Sequence, residues 1–318
     1  MKPLKPIQPQ RPRVPRRAVH GVLLLDKPVG LSSNDALQKA KRLFRAEKAG
    51  HTGTLDPMAS GLLPLCFGAA TKFSQVSLDA DKCYVAQLRL GQRRVGGDME
   101  GEVIEERPVQ VTQEGIEQAC ERFKGLQSQV PPMHSALKKD GKPLYEYARQ
   151  GIEVERAPRQ VTIHDIVITG WQDEAHLLTL TVRCSKGTYI RTLAEDIGEA
   201  LGCGAHLAGL RRVGSGPLDI AHAVTLETLA EWTEEQRDAR LMPPDALVAD
   251  WPAIRLAAEE AGRFLSGLRR RVVQPDAPAV RVYGPEPAAF LGGAHITAGE
   301  LIADRLLSPT EVQALLTL

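Results

Sequence analysis

The chain moves between two hydrophobic periods. Residues 22–25 are a short apolar run before the turn residues "DKPVG", and they predict a buried strand. Ser32 or Ser33 can then cap a helix. Ala36, Leu37, Ala40, Leu43 and Phe44 follow at helical spacing, with Lys39, Lys41 and Arg42 on the opposite face. "CYVAQLRLG" alternates Ala86, Leu88 and Leu90 against Gln87 and Arg89, the mark of a half-buried strand. "RRVGGDMEG" is expected to be a flexible loop, and residues 112–124 read as a helix. "QVPPMHSALKKDGKPLYEYARQG" starts as a Pro-Pro loop and ends in a helical turn over residues 145–149. "LLTLTVRC" alternates again, with Leu178, Leu180, Val182 and Cys184 on one face. A helix then opens near Thr188. Its apolar positions are Ile190, Leu193, Ala194, Ile197 and Leu201, and Arg191 lies in its first turn. "HLAGLRRVGSGPL" predicts a strand leading to an exposed loop. Pro243, Pro244 and Pro252 predict a linker. The strand-like pieces "RRVV", "AVRVYG" and "AAFLGGAHI" beyond it predict a small β-rich domain.

Composition narrows the class. With 318 residues, 43% hydrophobic and 25% charged, the chain has room for a large soluble domain and a smaller one. No apolar run reaches the roughly 18 residues of a membrane span. The basic N-terminus lacks the apolar core of a secretory signal, so a cytoplasmic protein is expected. Cys66, Cys83, Cys120, Cys184 and Cys203 form no CxxC pair and are odd in number, which argues against zinc and a disulfide framework. A net charge of +1 does not announce a nucleic-acid binder, so an RNA partner would require segregated cations. Residues 1–17 carry Lys2, Lys5, Arg11, Arg13, Arg16 and Arg17 and no acid. Prolines at 3, 6, 9, 12 and 15 match the three-residue turn of polyproline II, so a basic Pro-rich arm is expected over residues 1–18, either extended and solvated or a disordered leader. Residues 225–250 are mostly acidic, and "LRRRVV" is basic again.

The chemistry concentrates in "HTGTLDPMASGLLPLCFGAATK", where Asp56 is the one acid. His51 and Asp56 alone do not make a metal site, and the phosphate-cradling glycine patterns are absent. A glycosidase would need two carboxylates. A lone carboxylate here is a capping residue or a nucleophile.

"GHTGTLDPMASGLLPLCFGAATK" closely resembles the signature segment of the bacterial tRNA pseudouridine synthase B (TruB) family. "GVLLLDKPVGLSSNDAL", "QVPPMHSALKKDGKPLYEYAR", "CSKGTYIRTLAEDIGEALGCGAHLAGLRR" and "FLGGAHITAGEL" resemble further segments of it in the same order, over about residues 20–318. The resemblance implies conversion of a uridine in the T loop of tRNA, position 55, to pseudouridine. It implies an α+β fold, with a catalytic domain on a mixed, mostly antiparallel sheet over residues 19–250. A small β-rich, PUA-type RNA-binding domain would cover residues 251–318. By the same resemblance Asp56 is the catalytic aspartate, and Arg191 pairs with it. Tyr84 stacks on the target base, and Tyr189 contacts the uridine. His51 helps open the T loop, Leu210 offers a backbone contact to the uracil, and Lys27 and Pro28 form a structural motif near the site. Two features depart from the pattern. The Thr-Asp-Thr run often found after "LGQ" is replaced, although Asp98 and Gly101 are kept, which leaves open what polar contacts this loop makes. The C-terminal segment is also poor in cations for an RNA-binding module.

The implied reaction breaks the C1′–N1 bond, turns the uracil, joins C5 to C1′ and releases the C5 proton. It is an isomerisation, so no redox cofactor is expected, and a carboxylate makes a metal unnecessary. An Asp is ionised at neutral pH, and a nearby Arg favours that charge. The Asp56 loop has no close cation in sequence, so the counter-charge is expected from Arg191. Leu55, Leu62 and Leu63 are expected to help exclude water. The target base must be extruded, and stacking on an aromatic ring is worth about 1–3 kcal/mol. Aromatic residues are only 4% of the chain, which gives weight to Tyr84 and Tyr189. The expected partner is the tRNA T stem-loop, bound by a monomer without membrane or metal. A tRNA-binding folding chaperone with little catalysis is the alternative. A uridine glycosidase is weaker, for want of a second acid.

Overall fold

A computed structural model describes residues 15–286 and 288–316. The expected arm lies outside the described residues as far as residue 14; of its cations, Arg16 and Arg17 are described. β1 (Gly21–Lys27) leads to α1 (Ser33–Leu43), where Ser32 Oγ accepts the N–H of Asp35 at 3.1 Å and Ala36, Leu37 and Ala40 are buried. β2 (Ala49–His51) and β3 (Ala59–Phe67) flank the Asp56 loop. A 3-10 turn over Gly68–Phe73 and α2 (Ser74–Asp79) precede β4 (Lys82–Leu90). β5 (Gln92–Arg94) and β6 (Val103–Glu106) pair as a hairpin. Next come α3 (Gln113–Arg122), β7 (Gly125–Gln129), β8 (Lys138–Lys139), β9 (Lys142–Pro143) and α4 (Leu144–Ala148). β10 (Arg159–Gln172), β11 (Leu177–Cys184), α5 (Ile190–Ala200), β12 (Ala205–Ser215) and β13 (Leu218–Asp219) follow. α6 (Leu226–Glu231) and α7 (Glu234–Asp238) precede a 3-10 turn at Pro244–Val248. The rest is β14 (Ala253–Arg255), α8 (Ala258–Leu265), β15 (Arg270–Arg271), β16 (Ala277–Tyr283), β17 (Phe290–Thr297), β18 (Glu300–Leu306) and α9 (Pro309–Leu316).

A nine-stranded sheet runs β1-β3-β12-β4-β11-β10-β7, with β2 against β3 and β13 against β12. Among its described pairs only β3 and β12 are parallel, so the sheet is mixed and mostly antiparallel as expected. The alternations hold: Ala86, Leu88 and Leu90 are buried, and so are Leu178, Leu180, Val182 and Cys184. A five-stranded sheet runs β14-β16-β17-β18-β15 and gives the expected β-rich C-terminal unit. Among the described residues no helix is long and apolar enough to cross a membrane.

Two local expectations are corrected and one is refined. "RRVGGDMEG" is not a flexible loop. It forms the β5–β6 hairpin, with Asp98 buried and Arg93 paired with Glu105 at 2.9 Å. β12 does lead to an exposed turn, but a short one: Gly216 and Pro217 return the chain into β13, where Leu218 is buried. The prolines near 243–252 do not mark a linker. Pro244 opens a 3-10 turn that buries Leu247 and Val248. Proline fixes φ, and the apolar residues after it decide that the turn packs.

That turn belongs to an apolar core shared by the two sheets, with Val22, Leu24, Leu62, Phe73, Phe290 and Leu307. The rings of Phe73 and Phe290 are 5.2 Å apart, and those of Phe290 and Tyr283 are 5.6 Å apart. Lys72, the last residue of the signature segment, serves this junction: its Nζ is 2.6 Å from Glu311 and 2.9 Å from the carbonyl of Leu306. Several C-terminal cations are matched by acids, Arg263 by Glu259, Arg269 by Glu300, Arg270 by Glu260 and Arg255 by Glu286. Within the acidic 225–250 stretch, Glu234 and Asp238 also neutralise cations. Arg17 is 2.6 Å from Asp238, and Arg45 is 2.5 Å from Glu234.

Removing the Phe73 ring should leave a cavity between the sheets. Phe73→Ala should cost about 3–5 kcal/mol in urea unfolding. A loss below about 1 kcal/mol would mean that the junction contributes little.

Candidate active site

The central strands β3, β12, β4 and β11 carry the site. Asp56 lies in the loop entering β3, Leu210 on β12, Tyr84 on β4, and Tyr189 and Arg191 just after β11. The register aligns them in rows: Leu210 faces Ala59 and Ala86, while Arg212 faces Gly61 and Tyr84. Gly61 must be glycine. Its φ is +102°, and a Cβ there would lie 2.3 Å from the Arg212 carbonyl oxygen.

The Asp56 loop is held from several sides. Ser33 Oγ accepts the N–H of Leu55 at 2.7 Å and donates to its carbonyl at 3.0 Å. This separates the two serines of "LSS": Ser32 caps α1 and Ser33 anchors the loop. Gly30 N–H donates to the Pro57 carbonyl at 2.7 Å, and Thr52 N–H to the Pro64 carbonyl at 3.1 Å. Arg212, 1% exposed, donates from Nε to the Leu62 carbonyl at 2.7 Å and from Nη2 to the Gly53 carbonyl at 3.2 Å. Leu55 and Leu63 enter the core that packs under α1, whereas Leu62 enters the core between the sheets. These leucines therefore fix the strand from both faces and are not a common wall around the carboxylate.

Arg191 reaches Asp56 from the far side of the sheet order. Its Nη2 is 3.0 Å from Asp56 Oδ2, with the arginine side chain 5% exposed and the aspartate side chain 39% exposed. Nη2 also donates to the His134 carbonyl at 2.6 Å and Nη1 to the Gly96 carbonyl at 3.1 Å. Nη1 lies 3.4 Å from Asp98 Oδ2. The "RRVGGDMEG" segment thus does make polar contacts to the site. Asp98 Oδ1 accepts the N–H of Glu100 at 3.0 Å, so this second carboxylate is occupied on both oxygens. α5 has no side-chain cap of its own at Tyr189. Gln129, 3% exposed, brackets that residue: Oε1 accepts the Tyr189 N–H at 3.0 Å, and Nε2 donates to the Tyr189 carbonyl at 3.3 Å.

Lys27 is buried, and its Nζ donates to the carbonyls of Pro28 at 2.8 Å and Leu31 at 2.6 Å. Burial pushes its ammonium down to about 8, and the Asp56 charge opposes that shift. Tyr84 and Tyr189 are half-buried, and burial raises both phenols. The Asp56 charge reaches both of them, which puts the two rings and the carboxylate in one electrostatic neighbourhood. His51 is half-buried on β2, with no hydrogen-bond partner at Nδ1. Burial, and then the Arg212 charge, hold its pKa below the ordinary histidine value. Among the described residues no cluster of His, Cys, Asp and Glu has the makings of a metal site.

The result is a carboxylate with one oxygen on a buried guanidinium and one edge towards solvent, within electrostatic reach of two tyrosines. Such a group is held in a fixed orientation by the guanidinium while its open edge stays free for a substrate. Four residues of the cluster were not assigned to the site from sequence. Asp98 and Gln129 lie in quoted motifs, but only the folded backbone brings them to Arg191. Arg212, next to the exposed Arg211, carries no sequence signal of burial. Ser33 was read as an alternative cap.

Comparison with known proteins identifies the family. Residues 41–190 match the TruB family pseudouridylate synthase N-terminal domain. Residues 191–249 match the tRNA pseudouridylate synthase B C-terminal domain, and residues 252–307 match a second C-terminal model, pseudouridine synthase II TruB. The chain is 60% identical over 302 residues to the tRNA pseudouridine synthase B of Cupriavidus pinatubonensis, covering 92% of this chain and 96% of that one. It is 59% identical over 300 residues to the tRNA pseudouridine synthase B of Ralstonia nicotianae, with the same coverage. In fold it is similar to a chain of a Cbf5-Nop10-Gar1 complex, with a TM-score of 0.71 at 24% identity over 92% of this chain and 87% of that one. With identity this high over nearly the whole chain, the protein belongs to the TruB family of pseudouridylate synthases.

Proposed function

We propose that the chain isomerises uridine to pseudouridine at position 55 in the T loop of tRNA. The observation that carries this reading is the pairing of Asp56 with the buried Arg191 at 3.0 Å, with the carboxylate still partly open. The names of its close relatives support the same substrate. The uridine is extruded and stacked on Tyr84, and Tyr189 contacts it from the other wall. Asp56 supplies the carboxylate needed to break the C1′–N1 bond. The uracil stays enclosed, turns and bonds through C5 to C1′; C5 gives up its proton and N1, freed from C1′, takes one up, so the product is an isomer of the substrate. Leu210 offers backbone to the uracil, His51 helps open the loop, and Lys27 with Pro28 shapes the floor. A chaperone has no use for a carboxylate held at the mouth of an RNA site, where it repels phosphate. A glycosidase would need a second free acid, and both oxygens of Asp98 are occupied.

The reading extends to a monomer, because Asp56, Arg191 and both tyrosines come from one chain, and to the cytoplasm, where tRNA is found. Residues 19–250 would form the catalytic domain. Residues 251–318 would form a PUA-type RNA-binding domain, whose share of affinity is small because so many of its arginines are paired with acids. The direct test is tritium release from a tRNA transcript labelled at uridine C5. No release from tRNA, with binding intact, would favour the chaperone.

Asp56→Asn should bind tRNA within a few-fold of wild type and lose roughly 10³-fold or more in turnover, since an amide is neither nucleophile nor base. Near-normal tritium release from a variant checked for deamidation would remove Asp56 from the mechanism.

Gln129 touches no reacting atom and acts through the backbone of Tyr189. Gln129→Ala should lower kcat roughly 10–100-fold with KM nearly unchanged, because it loosens the start of the helix that aims Arg191. Gln129→Glu keeps the acceptor and should recover part of the loss. Unchanged kcat in the alanine variant would make the bracket purely structural.

The pH dependence follows from Lys27. Its ammonium is charged at neutral pH and loses its proton as pH rises through about 8, which removes a cation near Asp56. Turnover at saturating tRNA should therefore fall on the alkaline side near pH 8. His51 is held below the usual histidine range by burial and the Arg212 charge, so it adds no limb on the alkaline side. A profile flat to pH 9.5 would uncouple Lys27 from the reaction.

A further inference from the structure

At the C-terminal end of α1 a cavity of about 440 Å³ is lined by Arg16, Gln38, Lys41, Arg42, Arg45 and Ala46. Its cations fall into two groups. Arg45 is committed to Glu234 at 2.5 Å, as its neighbour Arg17 is to Asp238 at 2.6 Å. Among the described residues no carboxylate pairs with Arg16, Lys41 or Arg42. This contrasts with the paired arginines of the C-terminal sheet. Arg16 and Arg42 are exposed, and Lys41 is half-exposed. Three unmatched cations around one concavity repel each other, and an anion relieves that repulsion.

The cavity is set apart from the reacting centre. Ser33, at the start of α1, holds the Asp56 loop. Lys41 lies about 12 Å further along the helix axis, at about 1.5 Å per residue. It also marks the point where the N-terminal segment joins the body. Arg17 N–H donates to the Arg45 carbonyl at 2.9 Å, and Glu47 N–H donates to the Arg17 carbonyl at 3.1 Å. The sequence on the other side of Arg16 continues with cations and no acid.

We propose that this cavity is an accessory phosphate site, taking the sugar–phosphate backbone of the tRNA outside the reacting T arm. The proposal rests on the tRNA reading above. Arginine forks and a lysine ammonium are the groups that hold phosphate oxygens. A protein partner would be expected to find an apolar anchor, and the one apolar lining residue, Ala46, is buried. The site supplies affinity and orientation and takes no part in the chemistry.

The test replaces Arg16, Lys41 and Arg42 together by glutamine; none of the three touches Asp56 or its partners. Affinity for a full-length tRNA transcript and for an isolated T-arm hairpin is measured at several salt concentrations, alongside tritium release. The full-length tRNA should bind more weakly, and the slope of log K against log salt should flatten by about 2, from roughly 0.7–0.9 per lost phosphate contact. Hairpin binding and turnover at saturating tRNA should be unchanged. An unchanged slope with full-length tRNA would overturn the proposal. An equal loss with the hairpin would put the contact in the T arm and overturn the placement. Lost binding of a polyglutamate peptide, with tRNA binding unmoved, would assign the cavity to an acidic protein and overturn the proposal too. Absence of tritium release by the wild-type protein would instead defeat the proposed function, while the binding slopes would still be read independently.

Discussion

The site is organised around a buried guanidinium that must be neutralised. Arg191 is 4% exposed and lies in the first turn of α5, where a positive charge opposes the helix dipole. A cation buried there is tolerable only if anions and acceptors surround it. Asp56, Asp98 and the carbonyls of Gly96 and His134 meet that need from three separate parts of the chain. The same requirement orders the hairpin between β4 and α3, the Pro-Pro loop and the Asp56 loop. Of the four acceptors, Asp56 keeps an exposed edge. The structural solution for Arg191 therefore leaves a single carboxylate facing solvent in a fixed direction.

A second layer of buried cations lies under the Asp56 loop. Lys27 donates to two carbonyls, Arg212 to two, and Lys82 to the carbonyls of Ser77 and Ala80 at the end of α2. Burial pushes both lysines down to about 8, with Arg212 contributing in the same direction. Each cation does the work of a backbone hydrogen-bond donor: Lys27 past the end of β1, Lys82 at the end of α2, and Arg212 to Leu62 within β3 and to Gly53 in the loop before it. Together they make the ground beneath Asp56 positive. Ser33 and Gln129 complete the support in a shared way: one small polar side chain binds both the N–H and the carbonyl of a single residue, Leu55 in one case and Tyr189 in the other. One bracket fixes the residue before the aspartate, the other a residue just before the arginine.

What could be read in the sequence divides along physical lines. β4, β11, α1 and α5 were legible because burial on one face imposes a period, and Leu178, Leu180, Val182 and Cys184 follow it closely. Asp56 was legible as the lone acid of its loop, but elimination alone left it between a cap and a nucleophile. The resemblance supplied the distinction. Arg212 was not legible. A strand pattern assigns it to a face but does not say that the face is buried, and the neighbouring Arg211 is exposed and paired with Asp26. The packing of residues 244–248 was hidden because prolines look alike in a linker and at the start of a helical turn. Lys72 was conspicuous in the signature, but its partner Glu311 is near the other end of the chain.

The hairpin after β4 was misread for an instructive reason. The missing threonines left its polar contacts open, and the two glycines suggested mobility. The contact from this segment is made by a backbone carbonyl, that of Gly96, and by the retained Asp98. Gly96 and Gly97 have φ of +80° and +75°, values that side-chain-bearing residues rarely adopt. At Gly97 a Cβ would also lie 2.9 Å from the Glu195 carboxylate. The glycines therefore hold a tight turn that aims a carbonyl at Arg191. The segment is pinned further by Arg93, Arg107, Glu105 and Glu199, which tie it to α5. A motif defined by side chains can drift in such a place while its function persists, because the contact to Arg191 depends on the path of the backbone.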